Sequence, residues 1–181
     1  MVHRPEVHAM PDAPLLPMAS RLLAQLPGLR ADPQMALLGE LKALPPDDAA
    51  EAALQILEHM DESTGVLAGM TCANLVAEHG KEGHLPRLEA ARQRVPPFPG
   101  LRDWRRDVGD AVEALQALAK KRCRCSAART SNTAPSEKLF ETLSSKAEDY
   151  VDVMEVRCRH CGCTYQVERD DSYHYPTFSW R

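Results

Sequence analysis

The sequence predicts a mainly α-helical protein that ends in a small, cysteine-rich β module. Alanine and leucine supply most of the apolar residues before Lys120, whereas aromatic residues make up only 5% of the chain. Prolines and glycines divide this first part into short apolar segments with helical spacing. Five of the six cysteines follow between residues 123 and 163, in two tight groups. We therefore expect a helical domain over residues 1–121 and a separate module over residues 122–181.

Six helices are predicted before the cysteines, and each ends at a helix breaker or at a change of composition. Their approximate ranges are 14–26, 33–44, 46–60, 63–80, 85–95 and 101–121. The third begins at Pro46 with Asp47 and Asp48, which favour a helix N-terminus. The fourth is apolar around much of its circumference, so we expect it to lie at the centre of the helical domain.

The third and fourth helices, and likewise the fifth and sixth, form pairs that start about 30 to 40 residues apart. At this interval the segment from about residue 30 to 120 resembles a short array of HEAT-type helical-hairpin repeats. Such an array implies an extended surface that binds another protein. An irregular helical bundle is the alternative.

Cys123-Arg124-Cys125 and Cys158-Arg159-His160-Cys161 have the spacing of a zinc site. A cysteine pair separated by two residues lets the backbone turn around a tetrahedral ion, and Gly162 suits that turn. We predict that Cys123, Cys125, Cys158 and Cys161 bind Zn²⁺, with the first pair on an extended chain. Cys163 competes with Cys161 for one position, and His160 is a second possible substitute.

The zinc is expected to be structural. Four thiolates close the coordination sphere, whereas a catalytic zinc keeps a position for water. The module has few large apolar side chains and needs a further source of stability. Disulfides are less favoured, because nothing in the sequence indicates an oxidising compartment. No HExxH motif, phosphate-binding loop or nucleophile elbow is present, so we predict that the protein is not an enzyme.

Within the module we expect a loop up to Pro135, a short helix over 136–144 and a strand over 150–157. A hairpin at the second cysteine pair leads into a strand from Thr164, and a last strand carries alternating aromatic residues. These rings are expected to form the core of the module, with an exposed stacking surface as the alternative. The four aromatic residues are Tyr173, Tyr175, Phe178 and Trp180.

The net charge of -4 conceals two segments of opposite charge. Residues 40–82 hold nine acidic and two basic residues, and residues 83–129 hold eleven basic and five acidic ones. Solvated faces that partly neutralise one another explain this most simply. No apolar stretch has the length of a membrane span, and we expect a soluble, cytoplasmic protein.

The cysteine pair, the Cys-x-x-Cys-Gly turn, the Tyr-x-Val-Glu strand and the aromatic end together resemble the zinc-binding module of small immunity-type proteins found beside bacterial toxins. The resemblance covers about 60 residues. It implies a non-enzymatic protein-binding module whose partner is a toxin that it neutralises. A nucleic-acid-binding zinc ribbon is the alternative, because basic residues surround the cysteines: Lys120, Lys121, Arg122, Arg124, Arg129, Arg157 and Arg159.

Overall fold

The computed structural model describes residues 14–94, 101–130, 132, 134–172 and 176–181. Helices fill the first part of the chain, and a small antiparallel sheet follows. The helices are α1 (Pro17–Gln25), α2 (Ala31–Lys42), α3 (Pro46–His59), α4 (Val66–His79), α5 (Leu85–Arg94), α6 (Leu101–Ala119) and α7 (Cys125–Thr130). The strands are β1 (Phe140–Glu148), β2 (Val151–Cys158), β3 (Thr164–Asp170) and β4 (Thr177–Trp180). The mainly helical class is thus confirmed, with a small C-terminal sheet.

The helices pack in two layers. α3 contacts α1 and α5 in one layer, and α4 contacts α2 and α6 in the other. α3 also packs on α4, and α5 packs on α6, so that each of these pairs forms a hairpin. The central position predicted for the fourth helix is therefore correct. Each of α1 to α6 except α4 contributes fully buried leucine or isoleucine side chains to the interior. From α4 the interior holds the smaller side chains of Ala68, Cys72, Ala73 and Val76.

Arg87 on α5 links two helices of the first layer. Its guanidinium donates two hydrogen bonds of 2.6 and 2.7 Å to the carboxylate of Glu58, and two of 2.9 and 3.0 Å to that of Glu51. Both acids lie on α3. These bonds raise the pKa of Arg87, Glu58 having the larger effect, so the side chain stays charged at any physiological pH.

The end of α6 is a Schellman motif. The amide of Arg122 donates to the carbonyl of Ala117 over 2.7 Å, and the amide of Lys121 donates to that of Leu118 over 2.7 Å. Lys121 has a φ of 54°, in the left-handed region that glycine adopts most readily. This turn directs the chain from α6 into the first cysteine pair.

The sheet has the strand order β1-β2-β3-β4, with every neighbouring pair antiparallel. Side chains on one face form a second core, separate from that of the helices: Phe140, Val156, Val167 and Trp180, with Cys125 and Cys158. The rings of Phe140 and Trp180 are 5.0 Å apart, and those of Tyr165 and Trp180 are 5.7 Å apart. The prediction that Trp180 is a core residue is in agreement with this packing.

Two local predictions for the module were wrong. The helix expected over 136–144 is instead a turn at residues 137–139 followed by the start of β1, because pairing with β2 outweighs the helical spacing of Leu139 and Leu143. The loop expected after the first cysteine pair contains α7. In the part of the chain that the structure describes, no helix combines the length and the apolar character of a membrane span.

Candidate metal centre

The four predicted cysteines come together at one end of the sheet. The Sγ atoms of Cys123, Cys125, Cys158 and Cys161 all lie within 4.8 Å of one another. The distance between the sulfurs of Cys123 and Cys158 is 3.6 Å, and that between Cys125 and Cys161 is 3.5 Å. A zinc–sulfur bond of about 2.3 Å in tetrahedral geometry separates the sulfurs by about 3.8 Å. The arrangement therefore has the size of a metal site and is too open for disulfides, and all four thiols are free.

The second cysteine pair lies where β2 turns into β3. The amide of Gly162 donates to the carbonyl of Cys158 over 2.9 Å, and the amide of Cys158 donates to the carbonyl of Cys163 over 2.8 Å. Gly162 has a φ of 75°, as the sequence predicts for this turn. A side chain at this φ would be strained, which explains why glycine follows Cys161.

The first cysteine pair lies where the chain leaves α6 and enters α7. The amide of Ser126 donates to the carbonyl of Cys123 over 3.0 Å, and Cys125 is the first residue of α7. The prediction of an extended chain here is therefore wrong: a turn brings the two sulfurs to the same side. Helix formation by Ser126, Ala127 and Ala128 explains the difference, since two adjacent alanines favour a helix.

Backbone amides point at two of the sulfurs. The amide of Cys125 donates a hydrogen bond to the sulfur of Cys123, and the amide of Cys163 donates one to the sulfur of Cys161. In both cases the donor lies two residues after the acceptor. Amides in this position stabilise thiolate ligands. Both cysteine pairs therefore have the same hydrogen-bond arrangement, although the number of residues between their cysteines differs.

Burial and hydrogen bonding affect the thiols differently. Burial raises the pKa of Cys123 and Cys125, whereas the amide of Cys163 lowers the pKa of Cys161 to about 6. Burial likewise raises the pKa of Tyr165, whose hydroxyl lies 3.2 Å from the sulfur of Cys125. The phenol is therefore protonated and can donate to that sulfur. A cation among the sulfurs would offset the cost of holding several thiolates in this partly buried place.

The two competitors named from the sequence have different positions. Cys163 is exposed and lies two residues after Cys161, but it is not one of the four clustered cysteines. His160 is also exposed and lies on the wall of a groove between the helices and the module. Neither residue belongs to the cluster among the residues that the structure describes.

Arg124 joins the metal centre to the helical layers, and sequence reasoning did not assign it this role. Its guanidinium donates to the carbonyls of Glu78 and Gly80, at the C-terminal end of α4. Burial lowers the pKa of Arg124. Lys138 adds an ion pair with the carboxylate of Glu78, at 2.7 Å. The one signal in the sequence was an arginine between two ligands, and nothing there indicates that its acceptors are the last carbonyls of α4.

These groups line a groove of about 550 Å³ between α4, α6, α7 and the start of β1. Its walls carry both charged and small apolar side chains. The groove shows that the module lies directly against the end of α4.

The aromatic residues of the last strand are only partly described. Trp180 is buried and Phe178 is half-buried on the same face of β4. Tyr173, His174 and Tyr175 lie outside the described residues. The stripe of four rings remains a prediction for that segment.

Comparison of the chain with protein-family models, curated proteins and solved structures gives no match. The function is therefore inferred from the chemistry of the residues described above.

Proposed function

We propose that Cys123, Cys125, Cys158 and Cys161 bind one Zn²⁺ ion with a structural role. The main support is that the four sulfurs lie within 4.8 Å of one another. The measured sulfur–sulfur distances are close to those of a tetrahedral zinc site. Zinc is favoured among cations because four thiolates suit a soft or borderline metal ion. Four protein ligands leave no position for a reacting water, so the ion stabilises structure and supports no hydrolysis.

The small core of the module supports the structural role. Among the residues of the module that the structure describes, the buried cluster contains six, and two of them, Cys125 and Cys158, are proposed ligands. Structural zinc sites supply about 10–16 kcal/mol of apparent binding free energy, which becomes folding free energy when the unfolded chain has no site. The module would then fold only with its metal.

Metal analysis of the purified full chain tests this site. One zinc per chain is expected, with loss of metal in Cys158→Ser and full retention in the matched control Cys72→Ser, because Cys72 is buried among the helices. Cys163→Ser should also keep one zinc per chain. A metal-free wild-type chain that stays metal-free after reconstitution with zinc, or equal zinc in Cys158→Ser, would refute the site.

For the whole chain we propose a non-enzymatic protein-binding module, with a HEAT-like helical array as the binding part. The two-layer packing of α1, α3 and α5 against α2, α4 and α6 supports it, since stacked helical hairpins offer long open surfaces. The partner that we propose is a protein toxin, which the chain would block by occupying a functional surface. The zinc module would hold the end of the array in place through Arg124.

The charge distribution favours a basic face on that partner. Asp48 at the start of α3 and Glu82 in the 3₁₀ turn before α5 are exposed acidic residues. Asp47 is also exposed, although it pairs with Lys81 at 2.6 Å. Surface charges of one sign steer an oppositely charged partner and raise the association rate.

Affinity capture from the native host tests the proposal, with the zinc-loaded chain as bait and a double variant Asp48→Lys, Glu82→Lys as the charge-reversed comparison. A control variant changes two exposed acids elsewhere, Asp149→Lys and Glu155→Lys. A stoichiometric protein is expected with wild type and control, and about tenfold less of it with the reversed variant. Capture of no stoichiometric protein, or capture that the reversal leaves unchanged, would count against this function.

Nucleic-acid binding is the second candidate, and exposed basic residues favour it. Lys120, Lys121, Arg122 and Arg129 surround the first cysteine pair and are exposed. Three other bases of the predicted patch are engaged: Arg124 with α4, Arg157 with Glu141, and Arg159 with carbonyls of Glu137 and Phe140. Binding to a duplex or single strand that weakens steeply with added salt would support this candidate.

A further inference from the structure

The cluster has a fifth thiol beside it that four-coordinate zinc does not use. Cys163 is exposed and lies two residues after Cys161 in the sequence. Cys161 is the exposed member of the cluster, whereas Cys125 and Cys158 are buried. An oxidant from solution would therefore meet Cys161 and Cys163 before the other sulfurs.

We propose that Cys161 and Cys163 form a peroxide-sensitive pair whose oxidation to a disulfide releases the zinc. This inference rests on the proposed zinc site and concerns the regulation of that same site. The pair lies on one turn, between the end of β2 and the start of β3. Bond formation within this turn requires no movement of a distant element.

The chemistry needs hydrogen peroxide as the oxidant and proceeds in two steps. The thiolate of Cys161 attacks one oxygen of the peroxide, whose O–O bond breaks, giving a sulfenic acid and hydroxide. The thiol of Cys163 then attacks the sulfenic sulfur, and its proton leaves with the displaced oxygen as water. Two cysteine sulfurs are oxidised by two electrons in all, and both peroxide oxygens are reduced to the level of water.

The disulfide removes one of four zinc ligands. Cys123, Cys125 and Cys158 would remain, and three thiolates hold the ion less tightly than four. Cys163 cannot replace Cys161 in the oxidised state, because its own sulfur is now in the disulfide. Since Cys125 and Cys158 also belong to the small core, metal release would loosen the sheet.

Zinc release from the full, zinc-loaded chain tests the inference. Hydrogen peroxide is added in the presence of a colour-forming zinc chelator, and the disulfides are mapped by mass spectrometry of digested protein. We expect release with a Cys161–Cys163 disulfide in wild type, the same in Cys72→Ser, and release about tenfold slower in Cys163→Ser.

The outcomes separate this inference from the zinc site. If Cys163→Ser holds one zinc per chain and releases it as fast as wild type, the redox pair is refuted and the zinc site stands. The pair is also refuted if the mapped disulfide joins Cys158 to Cys161 or involves Cys123. A chain that never takes up zinc refutes both.

Discussion

Arg124 provides the sharpest test of how the metal centre is joined to the helices. We expect Arg124→Met to weaken both the stability of the zinc-loaded chain and its affinity for zinc. Methionine keeps an unbranched apolar stem similar to that of arginine but removes both hydrogen bonds to the end of α4. The carbonyls of Glu78 and Gly80 would lose a charged donor.

The magnitude follows from those two bonds. A hydrogen bond from a charged donor contributes about 1.5–3 kcal/mol, so the two sum to about 3–6 kcal/mol before costs. Burial lowers the pKa of Arg124, which shows that desolvation of the charge opposes part of this gain. We expect a net loss of about 2 kcal/mol in the free energy of unfolding. If the loss falls wholly on the metal-bound state, zinc affinity decreases by about 30-fold.

Arg122→Met is the matched control. Arg122 lies one residue before Cys123, as Arg124 lies one residue after it, and its side chain is exposed. The two variants lose the same charge. Urea unfolding of the zinc-loaded chain and competition with a chelator of known affinity measure the two quantities. If both variants differ from wild type by the same amount, within about 0.5 kcal/mol, the role given to Arg124 is wrong.

Three further predictions concern the helical part, all measured by urea unfolding of the zinc-loaded chain. Lys121→Gly should stabilise the chain by about 0.5–1 kcal/mol, because glycine adopts the left-handed conformation without strain. Lys120→Gly should destabilise the chain. A loss of stability in both variants would contradict the Schellman motif. Arg87→Met should cost about 2 kcal/mol because it removes the charged donor that Glu51 and Glu58 on α3 share. An unchanged midpoint would show that these ion pairs contribute nothing to stability. Burial lowers the pKa of His84, so folding favours its neutral form. The stability of the folded chain is therefore complete above the unfolded pKa of about 6.5, and part of it is lost as the pH falls towards the folded pKa. His84→Gln should therefore lose less stability than wild type between about pH 7.5 and pH 5.5, and parallel pH profiles would contradict this.

The positions of the helices were predictable because local signals set them. Pro46 and the acidic residues after it mark the start of α3, and Gly80 follows the end of α4. The knuckle of Cys158, Cys161 and Gly162 was predictable for the same reason, since the turn itself needs those residues. In each case the information lies within a few neighbouring positions.

The errors lie where distant residues decide the structure. Leu139 and Leu143 have helical spacing, yet Leu139 lies in a turn and Leu143 in β1, because β2 offers a partner for the backbone from Phe140 onwards. The shape at Cys125 depends on the Schellman turn and on α7, and neither follows from the cysteine spacing. Arg124 could not be placed because its acceptors are main-chain carbonyls 44 and 46 residues away, which carry no mark in the sequence.

Because α7 links the metal site to α6, metal binding would also affect how the helical part of the chain is covered at its end. In a stack of hairpins every internal pair is covered on both sides, whereas the outermost pair needs a lid. Here α5 and α6 are the last pair before the cysteines, and α7, which begins with a proposed ligand, packs on α6. A zinc ion bound by Cys125 would thus also hold α7 against α6. Loss of the ion would release α7 and expose apolar surface of α6, through which separate molecules would associate.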